Sequence, residues 1–363
     1  MFIIAILLFT LFYGGMCYLF GYLAWIWLKK SFSFRYKKTY ILVLIILSLA
    51  IFIGYTTSST ILITIGYFWM TLTGFGLILL PIATLLYFLF KRKKIRSIGF
   101  AVLALYILIF SFGTYNAWSP IVQTYDITIE KAFEQRDSLK ILMASDFHLG
   151  SIVGKSHLSK FVDLVEETKP DIVLIPGDLI DDYIEPFLDK NMGETLTKVD
   201  APLGVYATLG NHDYYGNDNE KIVEEMEKLG IEILTDEITM LENELYLIGR
   251  NDDTDDKRAA IQELVATLDT SKPVIMLDHQ PTELEAAKEH GIDLLLSGHT
   301  HRGQVFPGNL ITNILYENDY GLLKKGRMHS IVSSGFGTWG PPLRLGTRSE
   351  VVIINVEFKK TLP

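Results

Sequence analysis

The sequence predicts a chain in two parts: an all-α membrane region of about four helices, then an α/β domain. Three observations predict this. Residues 1–118 contain no Asp or Glu, and their ten Lys and Arg fall into two short clusters. From residue 138 onward, apolar β-branched runs of strand length alternate with charged stretches of helical period. Five of those runs end in His, Asp or Asn.

Overall composition conceals the division. The 363 residues are 49% hydrophobic, with a mean hydropathy of +0.27 and a formal net charge of −9. Ten of the 33 basic residues lie before residue 119. The remainder therefore sets 23 basic residues against 42 acidic ones, a net of −19. All eight histidines are in the acidic part. A domain of that charge repels phosphate-rich polymers at long range, and nucleic acid is not expected as a partner. The single cysteine, Cys17, lies inside the first apolar run and excludes a disulfide or a thiolate metal site within one chain.

A bilayer span needs roughly 20 apolar residues. Residues 2–28 supply one. They lack a basic start and are too long for a cleaved leader. The uncharged run 39–90 is long enough for two spans, with YTTSST (55–60) as the turn, and residues 97–118 supply a fourth. Trp25, Trp27, Trp69 and Trp118 sit where interfacial aromatics are expected. Basic loops stay in the cytoplasm. Lys29, Lys30, Arg35, Lys37 and Lys38 lie between spans one and two; Lys91, Arg92, Lys93, Lys94 and Arg96 lie between spans three and four. Four spans put both clusters inside and the acidic domain outside, in a multi-pass protein of the plasma membrane. An odd crossing of 39–90 would separate the clusters.

The stretch YNAWSPIVQTYD (115–126) reads as a short linker, so that 119–137 holds the linker and a first strand and 138–363 the catalytic domain. KILMAS (140–145) precedes a helical 156–169, DIVLIP (171–176) a helical segment near 184–196, GVYATL (204–209) a helical 219–230, and PVIML (273–277) a helical 282–291. EITMLENELYLIGR (237–250) reads as a hairpin; MHSIVSS (328–334) and SEVVIINVEF (349–358) read as late strands. A mixed sheet, or two sheets packed together, fits this order better than one doubly wound sheet.

The five strand ends carry the chemistry. They are DFH with Asp146 and His148, GDLID with Asp178 and Asp181, GNHD with Asn211, His212 and Asp213, DHQP with His279, and GHTH with His299 and His301. In α/β sheets, ligands bind beyond the carboxyl ends of strands. Singly, each cluster is an ordinary turn or a core histidine. Together they put carboxylates, an amide and imidazoles into one crevice. Oxygen and nitrogen donors without thiolate suit Mn, Fe or Zn.

The ordered set D-x-H, GDxxD, GNHD, an isolated His and GHxH resembles the calcineurin-like metallophosphoesterase superfamily over residues 138–357. The tail GFGTWGPPLRLGTRSEVVIINV (335–356) is similar to its bacterial membrane-associated branch. The resemblance does not extend to the spans. It implies a four-layer α-β-β-α sandwich of two mixed sheets and two divalent metal ions. One ion would be held by Asp146, His148, Asp178 and His301, the other by Asp178, Asn211, His279 and His299, with Asp178 bridging. It also implies that a hydroxide bridging the ions attacks phosphorus, that His212 serves the leaving group without ligating, and that Asp181 orients His212. Asp278 beside His279 reads as a partner for an imidazole. Arg302, Arg344 and Arg348 are candidate anion contacts, against the plainer reading of surface ion pairs.

The expected activity is hydrolysis of a phosphodiester or pyrophosphate bond, with the tether favouring a lipid-linked or envelope phosphate. A phosphomonoesterase with the same metal core, and a non-catalytic metal-dependent membrane sensor, are the alternatives. A transporter is disfavoured, because the spans carry no Asp, Glu or His.

Overall fold

A computed structural model describes residues 2–359. Among them, four helices are long and apolar enough to cross a membrane: α1 (Phe2–Phe32), α2 (Lys37–Thr56), α3 (Thr60–Leu89) and α4 (Ile95–Trp118). The uncharged run forms two such helices, the number expected from the sequence. The break at residues 57–59 is capped by Ser59, whose hydroxyl accepts from the Leu62 N–H. Close approach of α2 and α3 depends on Gly66, where an added Cβ would lie 2.5 Å from the Ile51 backbone nitrogen.

The chain divides into two compact units. One is Met1–Gly113 with Gly340–Pro342; the other is Thr114–Trp339 with Leu343–Pro363. The second unit thus begins inside α4. Residues 115–118, read from sequence as linker, are its last helical turn, and the strand that follows starts at Ile121. The Asn116 amide donates to the Arg344 carbonyl at 3.2 Å, and the Ser349 N–H donates back to the Asn116 carbonyl at 3.1 Å. Trp118 packs edge-on to the buried His157 at 5.0 Å between ring centroids. A helix that reads as membrane to its end therefore finishes as part of the catalytic domain.

The second unit contains twelve strands among the described residues. In chain order they are β1 (Ile121–Ile129), β2 (Ser138–Met143), β3 (Ile172–Pro176), β4 (Val205–Thr208), β5 (Glu232–Ile233), β6 (Glu237–Leu241), β7 (Leu245–Gly249), β8 (Val274–Leu277), β9 (Leu294–Ser297), β10 (Gly321–Lys325), β11 (Met328–Val332) and β12 (Glu350–Phe358). They form two six-stranded sheets, ordered β1-β12-β2-β3-β4-β5 and β10-β11-β9-β8-β7-β6. Both are mixed. In the first, β12 runs parallel to β1 and antiparallel to β2, while β2, β3 and β4 are parallel. In the second, β7, β8, β9 and β11 are parallel and β6 and β10 run against them. The 237–250 hairpin is β6–β7. β10 has no separate signal in the sequence, because Gly-Leu-Leu-Lys-Lys shows no alternation of apolar and polar residues and is only five positions long.

Side-chain alternation builds the layers. In β2, Ile141 and Met143 face the second sheet and meet Leu247, Ile275, Leu277, Leu294 and Leu296. Leu142 faces the other way, with Val173 and Ile175, against helix α5 (Lys155–Thr168) through Leu158 and Phe161. On the far side, Ile248, Met276 and Leu295 pack on helices Ile261–Val265 and Leu284–Glu289. The result is helices, sheet, sheet, helices, with three apolar seams. Each fully buried Leu, Ile or Phe contributes about 1.5–3 kcal/mol. The segment near 184–196 forms two short helices, Glu185–Asp189 and Gly193–Leu196, in place of one.

The last turn of α4 should matter for the stability of the catalytic unit. A fragment of residues 119–363 lacks Asn116 and the half-buried Trp118, at a cost of about 2 kcal/mol. It is expected to melt roughly 4–8 °C below a fragment of residues 114–363 by differential scanning calorimetry. Equal melting temperatures would mean that the turn is only an adjacent helix end.

Candidate metal centre

The ends of β2, β3 and β4 in one sheet and of β8 and β9 in the other converge at one edge of the sandwich. The seven residues expected to hold metal meet there, drawn from all five strand ends. Their shared centre is the buried Asp178 carboxylate. Its Oδ2 lies 3.2 Å from His279 Nε2 and 3.6 Å from His148 Nε2. Its Oδ1 accepts from the His212 N–H at 2.9 Å. On one side, His301 Nε2 lies 3.0 Å from His148 Nε2 and 3.4 Å from Asp146 Oδ1. On the other, His299 Nδ1 lies 2.8 Å from Asn211 Oδ1, and the rings of His279 and His299 are 5.2 Å apart. Donor atoms of Asp146, His148 and His301 lie within 4.8 Å of one another, as do those of Asp146, Asp178 and His279.

Local structure explains the motif spacings. In DFH the middle residue faces the opposite way from its neighbours. Phe147 drops into the core against Phe161 and Phe336, with centroids 4.8 and 5.2 Å away, and so anchors Asp146 and His148. The glycines of GNHD and GHTH are there for clearance. A Cβ on Gly210 would lie 2.2 Å from Asp178 Oδ1, and one on Gly298 would lie 2.3 Å from Asp146 Oδ2. Asp213 is a pin between loops. Its carboxylate accepts from the N–H groups of Leu179, Ile180 and Gly210, at 3.2, 2.9 and 2.8 Å. Burial, reinforced by the nearby Asp178 charge, pushes its carboxyl up to about 7.

Backbone strain concentrates here. Asp146, His148, Asp178, His299 and His301 all have positive φ, between 46° and 67°. Such geometry is costly for residues with side chains and persists where the surroundings enforce it.

The donors fit divalent metal. The His279 Nδ1–H donates to the Pro176 carbonyl at 2.9 Å, which leaves the Nε2 lone pair facing a carboxylate oxygen. That nitrogen is buried and makes no hydrogen bond. Two lone pairs so placed repel unless positive charge lies between them, and a proton or a metal ion can supply it. Burial alone would push the His279 imidazole down, but the Asp178 and Asp146 carboxylates hold it well above its ordinary value. Burial would raise Asp178, yet His279, His148 and His212 hold it well below the usual carboxylate range. Burial, then the nearby His148 and Arg344, push His301 well below the usual histidine value, and burial with His279 lowers His299. Neutral imidazole and ionised carboxylate are the forms that ligate.

Four expectations change. The His212 Nδ1 partner is Asp182 Oδ1, at 2.6 Å, in place of Asp181. Asp181 turns toward the other ring, with its Oδ1 3.6 Å from His148 Nδ1. The run GDLIDD offers two adjacent carboxylates, and the positive φ of Asp182, which the sequence does not reveal, decides between them. Burial would lower His212, but the bond to Asp182 and the charges of Asp178, Asp182 and Asp181 raise it. Arg344 is fully buried and cannot meet substrate. Its donors reach the carbonyls of Ser334, Gly335 and Gly337 and the Thr347 hydroxyl, and its Nη2 lies 3.1 Å from His301 Nδ1. It holds the 334–347 loop against the centre. Asp278 pairs with Arg250 (3.1 Å) and Arg258 (2.6 Å), not with an imidazole. Arg348 donates to the Ser119 carbonyl at 2.8 Å and covers the Tyr115 ring. Arg302, next to His301, lies over the Tyr320 ring at 4.4 Å.

Carboxylates and imidazoles gathered at the strand ends of two stacked mixed sheets define a metal-dependent phosphoester hydrolase. Known proteins agree. The calcineurin-like phosphoesterase family pattern matches residues 139–303. An uncharacterised metallophosphoesterase of Aquifex aeolicus is 36% identical over 247 residues, 66% of this chain and 92% of that one. One from Helicobacter pylori is 33% identical over 73% of this chain and 72% of its own. A zebrafish (Danio rerio) transmembrane protein with a metallophosphoesterase domain is 33% identical over 73% of this chain and 62% of its own. The chain belongs to the calcineurin-like metallophosphoesterase family.

The two aspartates should separate by measurement. Asp182→Asn is expected to lower turnover about 10–100-fold with bound metal retained, since it acts on His212. Asp181→Asn should lower metal affinity by a similar factor through His148. Metal content by plasma mass spectrometry, read beside turnover, checks both; a reversed pattern would restore the original assignment. Gly210→Ala should cost metal binding outright, because the new methyl occupies the space of the Asp178 carboxylate.

Proposed function

We propose that this chain is a membrane-anchored phosphoesterase that works with two divalent ions and cleaves a phosphodiester or pyrophosphate bond. The observation that carries the proposal is the Asp178 carboxylate, which faces an imidazole of each set. Asp146, His148, Asp178 and His301 would hold one ion; Asp178, Asn211, His279 and His299 would hold the other. The donor set suits Mn, Fe or Zn. When bound, such a pair polarises the phosphoryl oxygen and acidifies the attacking water.

The remaining roles belong to the chain. His212 stands beside the centre without being needed as a ligand, and Asp182 holds its Nδ1 and keeps a proton on the ring. Nε2 is then free to hydrogen-bond or protonate the departing oxygen. Arg302 is the candidate contact for the ester's outer oxygens, since Arg344 is committed to the loop. Bound cations reverse, locally, the sign of a domain whose net charge repels phosphate.

Orientation rests on the basic loops. Lys29 to Lys38 and Lys91 to Arg96 flank the α1–α2 and α3–α4 connections, on the same side of an even-numbered bundle. The rule for basic loops makes that side cytoplasmic and the catalytic domain extracytoplasmic. An alkaline phosphatase reporter fused after Pro363 should be active and a green fluorescent reporter dark; the opposite pattern would reverse the orientation.

Activity has a direct test. The full chain in detergent with Mn²⁺ should hydrolyse bis-p-nitrophenyl phosphate faster than p-nitrophenyl phosphate. Chelation should stop the reaction and added Mn²⁺ restore it. His212→Ala should cost about 10²–10⁴-fold in turnover, and Asp178→Asn should lose both metal and activity. A preference for the monoester would make the protein a phosphomonoesterase, and bound metal without turnover on either ester would make it a sensor.

A further inference from the structure

Just beyond the GHTH motif the chain runs from Gly303 to Tyr316 without a charged residue. Its helix, Gly308–Leu315, has no buried residue. Ile314 is 83% exposed and Leu315 70%, and Leu310, Ile311 and Phe306 are exposed beside them. Trp339, 55% exposed, joins the same surface through Gln304: the Trp339 N–H donates to Gln304 Oε1 at 2.9 Å, and Gln304 Nε2 donates back to the Trp339 carbonyl at 2.7 Å. A helix with four large aliphatic side chains in solvent is not explained by packing within its own domain.

The location of the patch identifies what covers it. Asn116, in the last turn of α4, is bonded to the Arg344 carbonyl. The next residue, Leu345, pairs with Val305 and accepts the Phe306 N–H at 2.8 Å. One backbone step therefore joins the end of the fourth apolar helix to the root of the exposed one. At its other side, Trp339 reaches the catalytic centre, with its ring 5.9 Å from that of His212. The patch is joined at one end to the last turn of an apolar helix and at the other to the reacting centre.

We infer that the exposed loop and helix 304–315, with Trp339, enter the lipid surface and set the metal centre at the bilayer interface, where it takes a phosphate ester carried by an amphiphile. The occupant is lipid rather than protein because the segment is uncharged, has Phe306 and Trp339 at its margins, and is joined by one backbone step to the last turn of an apolar helix long enough to span a bilayer. The substrate class rests on the phosphoesterase reading above; the lipid contact does not.

Two measurements on the full chain test this separately. In a Cys17→Ser background, Ile314→Cys carries an environment-sensitive nitrobenzoxadiazole probe, in proteoliposomes of phosphatidylcholine and phosphatidylglycerol. Lys228→Cys, on an exposed helix face elsewhere, is the control. The Ile314 probe should be quenched by doxyl-labelled lipid and shielded from aqueous iodide, and the control should show the reverse. Iodide quenching at Ile314 overturns the inference. Shielding from both quenchers also overturns it, and would make the patch a contact between copies of the chain. Second, the Ile311→Asp/Ile314→Asp variant should hydrolyse soluble bis-p-nitrophenyl phosphate as the parent does. It should lose roughly tenfold or more on hexadecyl p-nitrophenyl phosphate embedded in the same vesicles. Equal rates on both esters overturn the substrate class. A parent chain inactive on the soluble ester would instead remove the phosphoesterase reading and leave the quenching result standing.

Discussion

Everything in the catalytic unit answers to one constraint: a buried, ionised carboxylate must be held between two sets of imidazoles. Isolated in an apolar sandwich, the Asp178 carboxylate would be costly. The fold offsets this by bringing five strand ends to it from two sheets. Gly210 is clearance for it, the His212 N–H donates to it, and Asp213 stitches the β3 and β4 loops around it. The aromatic cluster behind Phe147 and the Arg344 loop complete the support, fixing the rings on which the carboxylate depends.

The fold was legible where burial dictates pattern. Strands such as DIVLIP and IDLLLS are apolar on both faces because both faces are covered, and the charged segments between them show the period of a helix. The four long helices were legible for the same reason in reverse, since nothing but hydrocarbon tolerates such runs. The boundary between the parts was not legible. Residues 115–118 read as linker, and only long-range contacts, with Arg344, Ser349 and His157, show that they are helical and part of the catalytic unit. β10 escaped notice because a short edge strand needs little apolar surface.

The centre was legible as a set and less so as a network. Residue types and their order brought out the seven candidate donors that the fold gathers at the strand ends. Partnerships depended on backbone angles and burial, which one-dimensional spacing does not carry. Asp181 and Asp182 differ by one position, yet the chain turns between them and sends their carboxylates to different histidines. Arg344 looks like an anion ligand in sequence, but its donors are taken up by its own loop and by the His301 ring. Asp278 likewise looks like support for an imidazole and instead neutralises two arginines. Positive φ at five of the seven donors marks where local preference gives way to the needs of the site.

Ser119 and Pro120 are all that separate the end of α4 from the start of β1. Two residues reach at most about 7 Å, whereas a flexible tether of 20 residues would wander over roughly 25 Å. If the helices span a bilayer and the ester is membrane-borne, as proposed above, so short a connection makes encounters follow the surface density of the ester more than any bulk concentration. Diluting the surrounding solution would leave the rate on a membrane-borne ester almost untouched, while diluting that ester within its own bilayer would lower the rate in proportion.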